Sequence, residues 1–215
     1  MADFTIVLGN KNYSSWSLRG WLVLEASGAD FAEVVIPLDQ PETKAAIRAH
    51  SPSGRVPVLK HGELVLWDSL AIAEYLAERF PEAGLWPEDP ELRAQARCIA
   101  AEMHAGFAAL REHLPMDLRR RFPGRGHDAP GVAADILRIV EIWEVCRQSF
   151  GKDGDFLFGR FGIVDAFFAP VVGRFVTYGV SLEGATAAYR DAVWSCPAMK
   201  TWRAAAEAEP WVIEQ

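Results

Sequence analysis

The sequence predicts a small α/β domain followed by an all-helical one, and three observations carry that reading. Strand-like and helix-like segments alternate up to Phe80. The stretch PEAGLWPEDP at 81–90 holds three prolines and a glycine, the composition of a linker. From Glu91 onward apolar residues recur at helical spacing, and no segment reads as a strand. With 215 residues, 50% of them hydrophobic, the chain can fill one large core or two small ones. The expected division is 1–80, a linker at 81–90, and 91–215.

In the first part, FTIVL (4–8) is short, apolar and β-branched, so it reads as a strand. Leu18, Leu22 and Val23 then recur at helical spacing from Ser15 to about Ala26, and Gly28 supplies a stop. FAEVVIPL (31–38) is a second strand, and PETKAAIRAH (41–50) a short helix or irregular turn. VPVLKHGELVLW (56–67) reads as a hairpin with Gly62 at its turn. DSLAIAEYLAERF (68–80) is an amphipathic helix opened by a polar pair. The order is β-α-β-(α)-β-β-α.

In the second part, residues 91–114 predict one long helix with Leu92, Ala96, Ile99, Met103, Phe107 and Leu110 on one stripe. FPGRGHDAPG (122–131) is a turn-rich loop, and 132–150 a second amphipathic helix. VDAFFAPVVGRFVTYG (164–179) is apolar on nearly all sides, so it is the expected central buried helix. Two more helices follow at about 184–195 and 197–208, the last opened by Pro197.

Charge and composition narrow the function. A net charge of −7 implies no basic face, which argues against a nucleic-acid partner. The short cluster LRRRF (118–122) reads as a solvated helix end. No apolar run approaches the ~18 residues of a membrane span. MADFTIVLGN lacks the basic start and long apolar run of a signal peptide. Cys98, Cys146 and Cys196 are odd in number and widely spaced, which suits reduced thiols and a cytoplasmic location; each reads as a small buried hydrophobe. The five histidines are scattered, so no metal site is expected.

Three short stretches carry candidate chemistry. Ser14 and Ser15 lie between a strand and a helix, where free N–H groups and the helix dipole hold either a simple cap or an anion, a thiolate included. The Val56-Pro57 step precedes a strand. Trans, it is an ordinary turn; cis, it turns the Val56 backbone outward toward a peptide-like ligand. Asp68 and Ser69 open the 68–80 helix. One of them serves as N-cap, or the pair holds an amino-acid end group: Ser69 and the helix N–H groups on its carboxylate, Asp68 on its ammonium. A thiolate, a peptide backbone and an α-amino-acid terminus are parts of one small peptide.

With GRVPVL (54–59), LWDSLAIAEYL (66–76) and the serine-bearing first helix, the chain resembles the cytosolic glutathione transferase family over essentially its whole length. The resemblance implies a thioredoxin-like first domain (βαβ-ββα, a mixed four-stranded sheet), an all-α second domain and glutathione as co-substrate. It places Ser14, then Ser15, at the glutathione sulfur, with Tyr13 a third candidate. It gives Val56 the backbone pairing with the cysteinyl part and makes Pro57 a cis-proline. Asp68 and Ser69 fall where the family holds the γ-glutamyl group. Lys44, with Arg55 as substitute, falls where a basic residue meets the glycyl carboxylate. Between the domains, Trp16, Met103, His104, Phe107, Arg111 and Tyr178 are the candidate contacts for a hydrophobic electrophile.

Two features depart from the family pattern. Gly162 stands where Ser or Thr usually caps the buried helix, although Asp165 is in place to bond back. The run Tyr-Ser-Ser-Trp (13–16) lacks the cysteine of the zeta, maleylacetoacetate-isomerase subgroup, and no cysteine lies near this helix start. The expectation is a glutathione transferase and a homodimer. A glutathione-dependent isomerase or peroxidase, and a non-catalytic binding module, stay open as alternatives.

Overall fold

The computed structural model describes residues 3–214. Four strands, β1 (Phe4–Gly9), β2 (Phe31–Ile36), β3 (Val58–His61) and β4 (Leu64–Trp67), form a sheet in the order β2-β1-β3-β4. β1 runs parallel to β2, with Phe4 opposite Phe31, and antiparallel to β3, with Val7 opposite Val58. The sheet is therefore mixed. β3 turns into β4 at Gly62, whose φ of +57° suits glycine. Period-two alternation along β1 places its side chains on two faces. Phe4, Ile6 and Leu8 join Leu18, Leu22, Ile72 and Leu76 in one cluster, while Val7 packs with Ile36, Ile47 and Val58 in another.

The helices of this half are α1 (Ser15–Ala26), α2 (Thr43–Arg48) and α3 (Ser69–Arg79). A 3-10 turn at Pro81–Ala83 leads to α4 (Pro90–Ala105), α5 (Ala108–His113), α6 (Val132–Ser149), α7 (Ile163–Tyr178), α8 (Gly184–Ser195) and α9 (Pro197–Ala208). As expected, α7 is central: of its residues only Val176 escapes burial. It packs against α1, so the helical half lies directly against the helix that follows β1.

Three expectations need correction. The helix predicted over 91–114 is two helices. Gly106 ends the first with an extended backbone, at a place where a Cβ would lie 2.8 Å from the Glu102 carbonyl oxygen, and Phe107 takes a left-handed φ of +62°. The Arg111 guanidinium closes the break, donating from Nε to the Gly106 carbonyl at 2.9 Å and from Nη2 to the Met103 carbonyl. The LRRRF cluster is not a solvated helix end. It is irregular, Arg119 donates to the Glu209 and Trp211 carbonyls, and Arg120 bonds the buried Asp117. Cys98 is exposed rather than buried; Cys146 is buried, which pushes its thiol up to about 12.

The unusual cap of α7 has a steric reason. A Cβ on Gly162 would meet the Leu85 carbonyl oxygen at 2.8 Å. Asp165 closes the helix start instead. Its carboxylate accepts from the Gly162 N–H at 2.9 Å and the Leu157 N–H at 3.1 Å.

The loop between β1 and α1 is fastened by the far end of the chain. The Glu209 carboxylate accepts from the Lys11 N–H at 2.6 Å and the Asn12 N–H at 3.1 Å. Trp202 donates its indole N–H to the Lys11 carbonyl at 2.9 Å. The buried Asn12 side chain donates to Asp117 and accepts from the Leu118 and Arg119 amides.

Candidate functional site

The β1–α1 turn, the segment before β3 and the start of α3 meet at one cleft of about 860 Å³. That size suits a small-molecule ligand. Tyr13, Ser14, Ser15 and Trp16 line it from the first turn, Ser53, Arg55, Val56 and Pro57 from the second, and Trp67, Asp68 and Ser69 from the third. Leu38 and Ile47 complete the wall.

Ser14 is the N-cap of α1. Its Oγ accepts from the Ser17 N–H at 3.3 Å, and its hydroxyl donates to Ser17 Oγ at 2.8 Å. Ser17 Oγ also accepts from the Gly9 N–H at 2.9 Å. The Ser15 hydroxyl makes no hydrogen bond among the described residues and lies beside Ser14 on the cleft wall. The Tyr13 hydroxyl accepts from Arg119 Nη2 at 3.2 Å. The α1 N-terminus adds the partial positive charge of the helix dipole.

The other two turns offer unspent backbone and hydroxyl groups. The Val56-Pro57 peptide is cis, and the Val56 N–H and C=O take no partner among the described residues. Asp68 caps α3, accepting from the Leu70 N–H at 2.8 Å. Ser69 is 1% exposed, yet its Oγ has no partner among the described residues. A buried hydroxyl left unpaired costs about 1–3 kcal/mol, so it marks where a ligand group or a water completes the structure.

Behind Trp16 lies a cationic cluster. The fully buried Arg19 guanidinium sits 4.6 Å from the Trp16 ring and 5.1 Å from the Phe167 ring. Burial pulls Arg19 well below its ordinary value, helped by Arg111 and Arg174, while Asp68 opposes. Arg111 lies 5.1 Å from the same indole. His104 meets Trp16 edge-on at 5.1 Å and places Nε2 3.4 Å from Asp68 Oδ2. Burial lowers the His104 imidazole, Asp68 opposes, and Arg19 and Arg111 lower it further. This neighbourhood is net positive and favours an anion at the α1 start.

Sequence reasoning brought most of the cleft together and misplaced some of its outer residues. Ser14, Ser15, Arg55, Val56, Pro57, Asp68, Ser69 and Trp16 all line the cleft. Lys44 is exposed on α2 and is absent from the lining. Met103 is wholly buried and Phe107 nearly so, both inside the main core. Tyr178 is buried too, with its hydroxyl donating to the Pro115 carbonyl at 2.9 Å. Arg111 is committed to the α4–α5 break. His104 reaches the cleft only through Asp68 and Trp16. Missed were Ser53, the residue before the GRVPVL motif, and Trp67, the residue before Asp68; adjacency to that motif and to Asp68 was the available signal. Leu38 and Ile47 carried no signal beyond hydrophobicity. Among the described residues no group of His, Cys, Asp or Glu could hold a metal ion, and no helix is long and apolar enough to cross a membrane.

Fold and cleft together define a thioredoxin-like domain, with a ligand cleft at its helix and strand ends, set against a helical half. Residues 13–79 match the family model of the glutathione S-transferase N-terminal domain. The chain is 31% identical over 176 residues to the maleylacetoacetate isomerase of Pseudomonas aeruginosa, covering 79% of this chain and 81% of that protein. A glutathione transferase homologue from Burkholderia, solved with bound glutathione, superposes with a TM-score of 0.73 at 23% identity, over 96% of this chain and 99% of that one. A theta class glutathione S-transferase from Xanthomonas axonopodis pv. citri, with glutathione bound, gives a TM-score of 0.66 at 25% identity, over 94% of this chain and 97% of its own. The chain belongs to the glutathione S-transferase family.

Proposed function

We propose that the cleft binds glutathione and that its thiolate attacks a hydrophobic electrophile held between the two halves of the chain. The observation that carries this reading is the buried, unpartnered Ser69 hydroxyl, which shares one cleft with the open Val56 backbone and the α1 N-terminus. Ser69 and the α3 N–H groups hold the γ-glutamyl carboxylate, and Asp68 pairs with the ammonium. The Val56 N–H and C=O pair with the cysteinyl backbone. Arg55, on the cleft wall, replaces Lys44 as the partner of the glycyl carboxylate.

The sulfur then lies at Ser14 and Ser15. A free thiol near pKa about 8.5 is only a few per cent ionised at neutral pH, so the site must favour the thiolate. The thiol proton leaves to solvent. The Ser14 hydroxyl, which donates to a neutral oxygen in the empty cleft, turns to the charged sulfur, since bonds to ionised acceptors are roughly twice as strong. The helix dipole and the buried Arg19 act in the same direction. The sulfur lone pair forms the new bond to carbon, and the leaving group departs with its electron pair. Trp16 borders the electrophile, backed by His104.

Calorimetric titration and an activity assay test this together. Ser14→Ala is expected to lose most conjugating activity while retaining glutathione. Full retained activity would move the role to Ser15 or Tyr13. A wild-type titration without heat would leave only a non-catalytic module. The isomerase reading rests on the Pseudomonas aeruginosa relative. In that reading the same thiolate would add to a conjugated double bond and leave again, so glutathione would be returned unchanged; a peroxidase would instead yield oxidised glutathione. Measuring whether glutathione is consumed, and whether sulfur stays in the product, separates the three.

The division at 81–90, a cytoplasmic location and a homodimer belong to the same proposal. Support for the dimer is the exposed Leu64 and Trp67 on edge strand β4, which pairs with no strand but β3 among the described residues. Light scattering that returned a single-chain mass would remove it.

A further inference from the structure

We infer that Ser17 is a positioning residue for the sulfur site, holding the Ser14 hydroxyl in the empty cleft and supporting it when Ser14 turns to the thiolate. The inference rests on the glutathione reading above. Ser17 is fully buried on the inner face of the first α1 turn and does not line the cleft. Its Oγ accepts twice, from the Gly9 N–H at 2.9 Å and from the Ser14 hydroxyl at 2.8 Å. A serine hydroxyl has two acceptor sites and one proton to donate. Both acceptor sites are filled, and the proton has no acceptor among the described residues.

That unspent proton gives the pair two states. With the cleft empty, Ser14 donates to Ser17. When a thiolate arrives, Ser14 rotates its proton to sulfur and exposes a lone pair toward Ser17. A small turn of the Ser17 side chain then lets its hydroxyl donate back to Ser14, while the Gly9 N–H keeps hold of Ser17. The Ser14 Oγ still accepts from the Ser17 N–H, so the cap survives the switch. Three hydrogen bonds in the empty state become four, and no bond is broken without replacement. The chain of donors from the β1 backbone through Ser17 and Ser14 polarises toward the sulfur.

The test compares wild type, Ser14→Ala and Ser17→Ala by the pKa of bound glutathione, read from thiolate ultraviolet absorbance, and by the affinity for S-methylglutathione, which cannot ionise. Ser17→Ala unpairs the Gly9 N–H but gains helix propensity, so it is expected to fold with some loss of stability. Ser17→Cys, which keeps the shape and weakens both hydrogen-bond roles, serves if it does not. The expected result is a bound-thiol pKa raised by about one unit in Ser17→Ala, roughly tenfold less thiolate near neutral pH, with S-methylglutathione affinity within twofold of wild type. Equal loss of affinity for both ligands would show a structural defect and overturn the inference. So would a thiol pKa raised by Ser14→Ala and untouched by Ser17→Ala, with the glutathione reading left standing. A wild-type pKa equal to that of free glutathione would overturn both.

Discussion

Replacing Ser69 with alanine should weaken glutathione binding and leave the fold's stability nearly unchanged. The Ser69 hydroxyl is buried and unpartnered at the first position of α3. Helix capping does not depend on it, because Asp68 supplies the cap through the Leu70 N–H. The hydroxyl serves no protein partner that its deletion would orphan, and alanine is the better helix former, so the ligand-free protein should keep its stability. At about 2–4 °C per kcal/mol for a chain of this size, the melting temperature should stay within a few degrees of wild type. In the proposed complex the same hydroxyl donates to a carboxylate, a bond worth about 1.5–3 kcal/mol. Its loss corresponds to roughly a 10- to 150-fold weaker glutathione affinity. Calorimetric melts of the empty protein and titrations with glutathione read the two effects separately. A variant that melts lower and binds glutathione as well as wild type would refute the reasoning, because Ser69 would then be a structural hydroxyl satisfied without the ligand.

Other perturbations have equally definite outcomes. Asp165→Ala leaves the Gly162 and Leu157 N–H groups unpaired and should cost about 2–6 kcal/mol in denaturant unfolding, summed at about 1–3 for each group. Gly162→Ser restores the usual capping hydroxyl but drives a Cβ against the Leu85 carbonyl; overpacking costs about 1–3 kcal/mol, so the same unfolding measurement should show a net loss. His104 has a folded pKa below the 6.5 of a free imidazole, so the unfolded chain takes up its proton first. Its contribution to stability is complete above pH 6.5 and is lost as pH falls below that value, and His104→Asn should flatten this part of the profile. Asp68→Asn removes the one charge raising His104, so its imidazole should titrate still lower by NMR.

Much of this architecture is written in local rules. Alternation along Phe4–Gly9 and serine and aspartate at helix starts place β1, α1 and α3, and with them the three turns of the cleft. What escapes local reading is partnership between distant segments. The apolar stripe from Leu92 to Leu110 runs through Gly106 without a gap, so periodicity does not register the break that Arg111 repairs. The same stripe marks Met103 and Phe107 as one-sided without telling a cleft wall from a core. Lys44 lies on a six-residue helix whose register is set by the Thr43 hydroxyl on the Pro37 carbonyl at 2.6 Å, a contact no spacing rule reports. Arg19 and Ser17 look like ordinary polar helix residues until α7 and β1 bury them. The Ser14 hydroxyl is legible as a cap, but its engagement with Ser17 is not.

The Glu209 carboxylate that holds the Lys11 and Asn12 amides lies 198 and 197 positions downstream of them. Closing so long a loop carries an entropy cost that must be met before the contact forms, and contacts of this kind come late in folding. The sheet and α1 can therefore assemble while the turn that presents Ser14 is still unfastened. A chain shortened before Glu209 keeps every residue of the cleft and lacks the anchor of its first wall. Completion of the Ser14 wall of the cleft thus reports on docking of the helical half, and the proposed thiolate chemistry would be withheld from a half-folded molecule.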